Sequence, residues 1–435
     1  MRLYQRRLLL LCTVAAVMVV VLYTLLQTAS VQTLRTTTSI WLTEQNMNLC
    51  RFSKQPMLFE HGNDHYYVVW ETTCTSGTPL LEWWVDDSTR FSIEPWYRQI
   101  DPTHHRYTAI FGPASNASQV HYRVNNYRFS TKQYTITRRS KDRTQRVLVI
   151  ADNQDGPREF RKILSSIRRY YGISSNPDTV VHAGDTVQVA SHLDDWQRQL
   201  FAPLEDRSDW HHISPIIFVP GNHDHDKRRI PNNSNIYMDM YHGISDTDGL
   251  GKMAVTNGSY HRFYHSVSIG YAQMIVLDAE CPSPEQSEFL RQELQSEAFQ
   301  SAQFRIVAVH IPPYIEFWNP YAWEHKGEKH WGEHVRLEYD PLFRKHNVDL
   351  VISGHQHNYQ RSTVQRAPDS GLSGTITYAI VGGAGGTLDL ERVEDWNMYN
   401  TTYLGHHFVA LDISKHSLRW TALNVDGKVI DQFKL

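Results

Sequence analysis

From Arg146 onward the chain repeats one local grammar: a short apolar run that stops at a polar, glycine-containing turn. Val147–Ile150 stops at Ala151-Asp152-Asn153-Gln154, and Thr179–His182 stops at Ala183-Gly184-Asp185. Ile216–Val219 stops at Pro220-Gly221-Asn222-His223-Asp224. Arg305–Val309 stops at His310, and Val348–Ile352 stops at Ser353-Gly354-His355-Gln356-His357. Uninterrupted apolar runs of this length are strands covered on both faces, as in α/β sheets. Helical segments lie between them. The clearest starts at Ser283-Pro284, with serine as cap, proline first in the helix and Gln286 completing a capping box. Phe289, Leu290 and Leu294 form its inner stripe. In open α/β sheets, ligands gather just beyond the carboxyl ends of strands. Here those ends carry Asp, Asp, Asn, His and His-x-His.

Those side chains are hard or borderline ligands for a divalent or trivalent metal. Two metals about 3.5–4 Å apart need a shared ligand, and a carboxylate can bridge them. Asp185 is the candidate bridge. Such a pair clamps a phosphate and activates water. Taken singly, a strand-end Asp is a turn residue and a lone His is a surface or satisfied core residue. The meaning comes from the ordered series.

The histidine count, 24, fits metal or proton chemistry but does not locate it. With 41% hydrophobic and 20% charged residues the chain is ordinary globular material. Its formal charge of −3 gives no nucleic-acid surface. Four cysteines rule out a disulfide scaffold; Cys50 and Cys74 could pair after export, leaving Cys281 over. Sequons stand at Asn116, Asn232, Asn257 and Asn400.

The uncharged run Leu8–Leu26 is long enough to cross a bilayer core of ~30 Å. Arg2, Arg6 and Arg7 precede it, which places residues 1–7 in the cytoplasm and the remainder outside. The expectation is a signal anchor at 8–26 rather than a cleaved signal peptide. Residues 27–54 read as a stem. From 55 to 138, aromatic and β-branched runs such as Tyr66–Trp70 and Thr78–Val85 alternate with turns, which predicts a β-sandwich. A charged linker around Arg138–Arg143 leads to a catalytic domain over 145–435.

The ordered blocks resemble the metallophosphoesterase (calcineurin-like) superfamily, and within it the purple acid phosphatase branch. The blocks are Gly184-Asp185, Gly221-Asn222-His223-Asp224, His310-Ile311-Pro312-Pro313-Tyr314 and Gly354-His355-Gln356-His357-Asn358-Tyr359. Gly332–Arg336, Tyr339–Phe343 and Gly382–Gly386 add to it. The resemblance implies a fibronectin-like β-sandwich followed by an α/β metallophosphoesterase sandwich. It gives one metal to Asp152, Asp185 and His357, and the other to Asp185, Asn222, His310 and His355. It sets His223 beside the phosphate, where it protonates the leaving group or steadies the transition state.

Two positions depart from that pattern. Purple enzymes carry a ligating tyrosine three residues after the bridging aspartate, where this chain has Gln188. Other members use a histidine two residues after the first aspartate, where this chain has Gln154. A glutamine oxygen can ligate, so Gln154 is expected to fill the gap, ahead of Gln188. A non-purple site holding Fe, Mn, Zn or Mg follows. The insert after His310 carries Phe317, Trp318, Tyr321, Trp323, His325, His330 and Trp331. It reads equally as substrate wall or as packing, with Glu328 in the slot of a phosphate-contacting histidine. The polar stretch 223–248 reads as a rim loop. His211, His212, His406 and His407 read as surface residues.

The expected function is hydrolysis of a phosphate monoester by metal-bound hydroxide at the outer face of a membrane. A phosphodiesterase with the same site, and a catalytically weak module that binds a phosphorylated ligand, are the alternatives.

Overall fold

The computed structural model describes Met18 and residues 50–435, apart from 63–64, 76–78, 87–88, 113–117, 127–128, 139–142, 173–174, 226–263, 281, 318–331, 367–373 and 394–395. The tail at 1–7, the anchor at 8–26 except Met18, most of the stem, the rim loop beyond His225, Cys281, Glu328, His325 and His330 lie outside the described residues, as do the sequons at Asn116, Asn232 and Asn257. Asn400 is exposed. Among the described residues no helix is long and apolar enough to cross a membrane.

The five apolar runs divide between two facing sheets. Gln145–Ile150, Thr179–His182 and Ile216–Phe218 pair in parallel within a ten-stranded sheet. Phe304–Val309 and Leu350–Ser353 pair in parallel within a seven-stranded sheet. Successive side chains of a strand point to opposite faces. Val147, Val149, Val181 and Ile217 therefore meet Ile306, Ala308, Leu350 and Ile352 between the sheets. Leu148, Ile150 and Val180 face outward onto Phe160, Ile163 and Leu164 of the helix Pro157–Tyr171. Val307 and Val351 face Leu290, Leu294, Tyr339 and Phe343 on the other side. Both faces of these five runs are covered, which is why they carry no polar alternation. Each such buried side chain contributes roughly 1.5–3 kcal/mol.

The helix Pro284–Gln295 is capped as expected at one end of its box, where Ser283 Oγ accepts from Gln286 N at 3.1 Å. The Gln286 side chain does not complete the box. It accepts from Asp278 N and donates to Asp278 O, each at 2.7 Å, so it pairs with the main chain just past the strand Ala272–Leu277.

A third, smaller sheet of Phe91–Ile93, Leu80–Val85, Gln119–Asn126, Phe129–Ser130 and Tyr134–Thr137 packs against the far half of the ten-stranded sheet. Trp70, Leu81, Trp83, Tyr107 and Tyr122 fill the space between them. This two-sheet unit is not insulated from the strands that carry the site. Phe52–Gly62, which starts inside the stretch expected as stem, pairs in parallel with Ile216–Phe218 through Phe59 and Ile216. Cys50 and Cys74 form a disulfide at its margin.

His211 and His212 are buried, at 1% and 7% exposure, where the sequence suggested surface residues. The tight turn Trp210–His212 is wedged against the small sheet. His212 Nδ1 donates to Pro56 O at 2.6 Å, its ring stacks on Tyr134 at 4.6 Å, and Tyr122 Oη donates to His212 O at 2.5 Å. His407 is also buried, donating to Gly405 O at 2.9 Å, while His406 is half-buried.

Candidate metal centre

Strand ends from both sheets deliver the polar side chains to one place. Asp152, Asp185 and His355 leave their strands with φ of 60°, 55° and 71°. These left-handed conformations cost on the order of 1–3 kcal/mol each and persist where the surroundings fix them. Here the fixing is mutual. Asp152 N donates to Gly184 O at 3.0 Å, and Gly354 N donates to His310 O at 2.9 Å. His355 N donates to both oxygens of Asp152 at 3.0 Å, a link from one sheet to the other. Gly221 is required by contact: a Cβ there would lie 2.2 Å from Asp185 Oδ1.

Asp185, His310 and His355 present ligand atoms within 4.8 Å of one another, all buried. His310 Nε2 lies 3.2 Å from Asp185 Oδ2 and 3.9 Å from Asp152 Oδ1. His357 Nε2 lies 3.5 Å from Asp152 Oδ1. His355 Nδ1 donates to Asn222 Oδ1 at 2.8 Å. The other nitrogens of the ligand-type histidines are held by main chain: His310 Nδ1 donates to Ala183 O at 2.7 Å, and His357 Nδ1 to Thr387 O at 2.5 Å. That support fixes ring orientation, as around metal-ligating histidines generally.

The charges are strongly coupled. Burial opposes a charge on His310, but Asp185 and Asp152 outweigh it and raise the imidazole to about 10. Burial likewise opposes a charge on His357, and Asp152 with Asp389 raises it to about 9. Asp185 is pulled well below the usual carboxylate range: burial works against this, and His310 and His223 prevail. His355 is driven well below its ordinary value by burial and by His310. A cluster that holds protons this tightly between carboxylates is one where a cation has strong cause to replace them.

Gln154 lies inside this cluster. Its Nε2 donates to Asp185 Oδ2 at 3.2 Å and sits 3.0 Å from His357 Nε2. Its Oε1 is buried with no hydrogen-bond partner among the described residues. A buried carbonyl oxygen without a donor, set among carboxylates and imidazoles, fits a metal site. The Gln188 side chain is exposed and its contribution is main chain: Gln188 O accepts from His223 Nδ1 at 2.8 Å. His223 N donates to Asp185 Oδ1 at 2.8 Å, so His223 is seated on the candidate bridge.

Supporting groups went unnoticed in the sequence. Asp224 accepts from Asp185 N at 2.8 Å, Gly221 N at 2.9 Å and both Thr186 donors, stapling the Asp185 loop to the Asn222 loop. Burial and the charge of Asp185 raise its carboxyl to about 6. Asp389 accepts from His357 N at 2.8 Å. Asn153 donates to Thr186 O at 2.9 Å and accepts from His182 Nε2 at 2.7 Å. Asn153 and Asp224 adjoin ligand-type residues, a signal that could have found them. Asp389 had no such neighbour.

Residues 145–359 match the family model of the calcineurin-like phosphoesterases, and the chain belongs to that superfamily. Within it, the chain falls in the purple-acid-phosphatase-like branch. It is 25% identical over 347 residues to an Arabidopsis thaliana protein named probable inactive purple acid phosphatase 27, covering 71% of this chain and 52% of that one. The chain thus spans about half the length of that relative. It is 25% identical over 323 residues to a nucleotide pyrophosphatase/phosphodiesterase of Hordeum vulgare, covering 67% of this chain and 83% of that one. The purple acid phosphatase PPD1 of yellow lupin, Lupinus luteus, shares the fold with a TM-score of 0.66 and 19% identity, covering 87% of this chain and 73% of that one.

Proposed function

We propose that this protein hydrolyses phosphate esters with two metal ions held between the carboxyl ends of its facing sheets. The observation that carries the reading is the convergence of Asp152, Asp185, His310, His355 and His357 on one cluster around the Gln154 oxygen, which has no hydrogen-bond partner among the described residues. Asp152, Gln154, Asp185 and His357 would hold one ion. Asp185, Asn222, His310 and His355 would hold the other, with Asp185 shared. When bound, the pair supplies Lewis acidity, charge neutralisation and an acidified water, whether Fe, Mn, Zn or Mg. With glutamine at 188 in place of a ligating tyrosine, the site is non-purple.

The chain's own residues supply the rest. His223 gives a proton to the departing oxygen through Nε2, since Nδ1 is committed to Gln188 O. Asn153 ties the Asp152 loop to the Asp185 loop, and Asp224 ties the Asp185 loop to the loop that carries Asn222 and His223. The two-sheet N-terminal unit fits the fibronectin-like sandwich of the branch. The span 8–26 supports anchoring with the site outside the cytoplasm, and the Cys50–Cys74 disulfide suits an oxidising compartment.

Phosphomonoesters are the first substrate class, by likeness to the acid phosphatases. A phosphodiesterase reading is favoured by the barley relative. A weakly catalytic phospho-ligand binder is favoured by relatives whose names carry the word inactive. Comparing kcat/KM for an aryl phosphate monoester and a bis-aryl diester, with Mn(II) added, separates the three. A larger monoester value is expected. A larger diester value transfers the assignment, and turnover of neither with metal bound leaves the binding module.

A further inference from the structure

Gln199 sits on a wide π-helical turn, Trp196–Phe201, well outside the sequence motifs and fully buried. Wide turns of this kind push one residue out of helical register and recur at functional sites. The displaced carboxamide reaches the back of the metal centre. Gln199 Oε1 accepts from Asp155 N at 2.9 Å and from Gln188 N at 2.8 Å. The Gln199 main-chain oxygen accepts from Asn153 Nδ2 at 3.0 Å. Its Nε2 has no hydrogen-bond partner among the described residues, so the two amide hydrogens set the orientation of the carboxamide.

We propose that Gln199 is a positioning residue that clamps the loop 152–155 to the loop 185–188, and through Gln188 sets the angle of His223. The inference rests on the metal-site reading above. Each loop needs an external hold. Asp152, Asp155 and Asp185 all have positive φ, between 55° and 60°, which non-glycine residues keep only under constraint. One carbonyl oxygen accepting from both loops makes their separation a single rigid distance. The next link is the Gln188 oxygen, which accepts from His223 Nδ1 at 2.8 Å. A purple enzyme would tie the second loop to the metal through its tyrosine. In this chain the exposed Gln188 side chain leaves that task to the Gln199 clamp.

Gln199→Met keeps the length and apolar bulk of the side chain and removes the acceptor. In the full-length protein, titration with Mn(II) alone should show binding weakened at least tenfold. Turnover at saturating Mn(II), counted per folded molecule from the native melting signal, should show kcat lowered at least tenfold with KM changed less than threefold. In hydrogen exchange, the amides of Asp155 and Gln188 should be protected in the wild type and lose protection together in the variant. Native melting with Mn(II) affinity within twofold of wild type would overturn the proposal. Should Gln199→Met fail to fold, wild-type exchange still decides: both amides unprotected overturns the clamp. A wild type that binds no Mn(II) sinks the metal-site reading, and the same exchange experiment then judges the clamp by itself.

Discussion

Gln154 Nε2 donates to Asp185 Oδ2 at 3.2 Å while Gln154 Oε1 faces no donor among the described residues. An amide in this position is a two-way device. In the absence of a cation its N–H satisfies the carboxylate, and rotation of the same group offers oxygen to a metal. Gln154→Leu should weaken one of the two ions by about tenfold, roughly 1.4 kcal/mol, and leave the other bound. Gln154→His should tighten the same ion, because imidazole is the better ligand for borderline metals. Calorimetric titration with Zn(II) reads both stoichiometry and affinity. Unchanged binding in Gln154→Leu would remove Gln154 from the ligand set.

Metal uptake should release protons. With no cation present, His310 is raised to about 10 and His357 to about 9, after their carboxylate neighbours overcome burial. Both are charged at pH 7, and both must give up a proton to ligate. Apparent affinity should therefore climb with pH between about 7 and 9. Calorimetry in buffers of different ionisation enthalpy should return roughly two protons per chain at pH 7. In the metal-free protein the sign for stability is the opposite. Raised histidines stabilise below their ordinary value of about 6.5, and the gain is lost as pH rises through 9 to 10.

Acid should destabilise the fold through different histidines. Burial lowers His212 and His407 to about 4 each. The unfolded chain binds these protons below about 6.5, whereas the folded chain resists them until about 4. Stability is thus complete above pH 6.5 and declines between 6.5 and 4, by roughly a few kcal/mol per histidine at most. Melting temperature recorded across that range should fall. His212→Gln should flatten part of the slope, and an unaltered slope in that variant would acquit His212.

Gly221→Ala is expected to disable the site with little effect on the remaining fold. The added Cβ would lie 2.2 Å from Asp185 Oδ1 and 2.3 Å from Asp185 N, so the shared carboxylate or its main chain must move. Overpacking of this kind costs about 1–3 kcal/mol. The displacement falls on the residue that would bridge both ions, so kcat/KM should drop at least 100-fold, about 2.7 kcal/mol. Metal stoichiometry and steady-state kinetics check it; a variant with full activity would show that Asp185 is not held as described.

The five apolar runs were legible as strands because each is buried on both faces and closes on an Asp, Asn or His. Asp152, Asp185, Asn222, His310, His355 and His357 could be named as candidates from that pattern. What pattern could not show was pairing between distant segments. Phe59 meets Ile216 across more than 150 residues of chain, and no periodicity in either strand encodes that contact. His212 read as polar surface because the Tyr134 and Pro56 groups that bury it come from elsewhere in the sequence. Gln199 was invisible for the same reason: its partners, Asp155 and Gln188, lie on two other loops. Gln286 shows the finer limit, since the capping pattern placed the helix start and tertiary contact with Asp278 took the side chain.

The decisive measurement is metal-dependent turnover. The protein loaded with two ions per chain should release phosphate from an aryl phosphate ester, and chelation should stop it. His223→Ala should lower kcat/KM by at least 100-fold, within the usual range for loss of a general acid, and Asn222→Ala should do the same by removing a metal ligand. Two bound ions with no turnover of either monoester or diester would contradict the account.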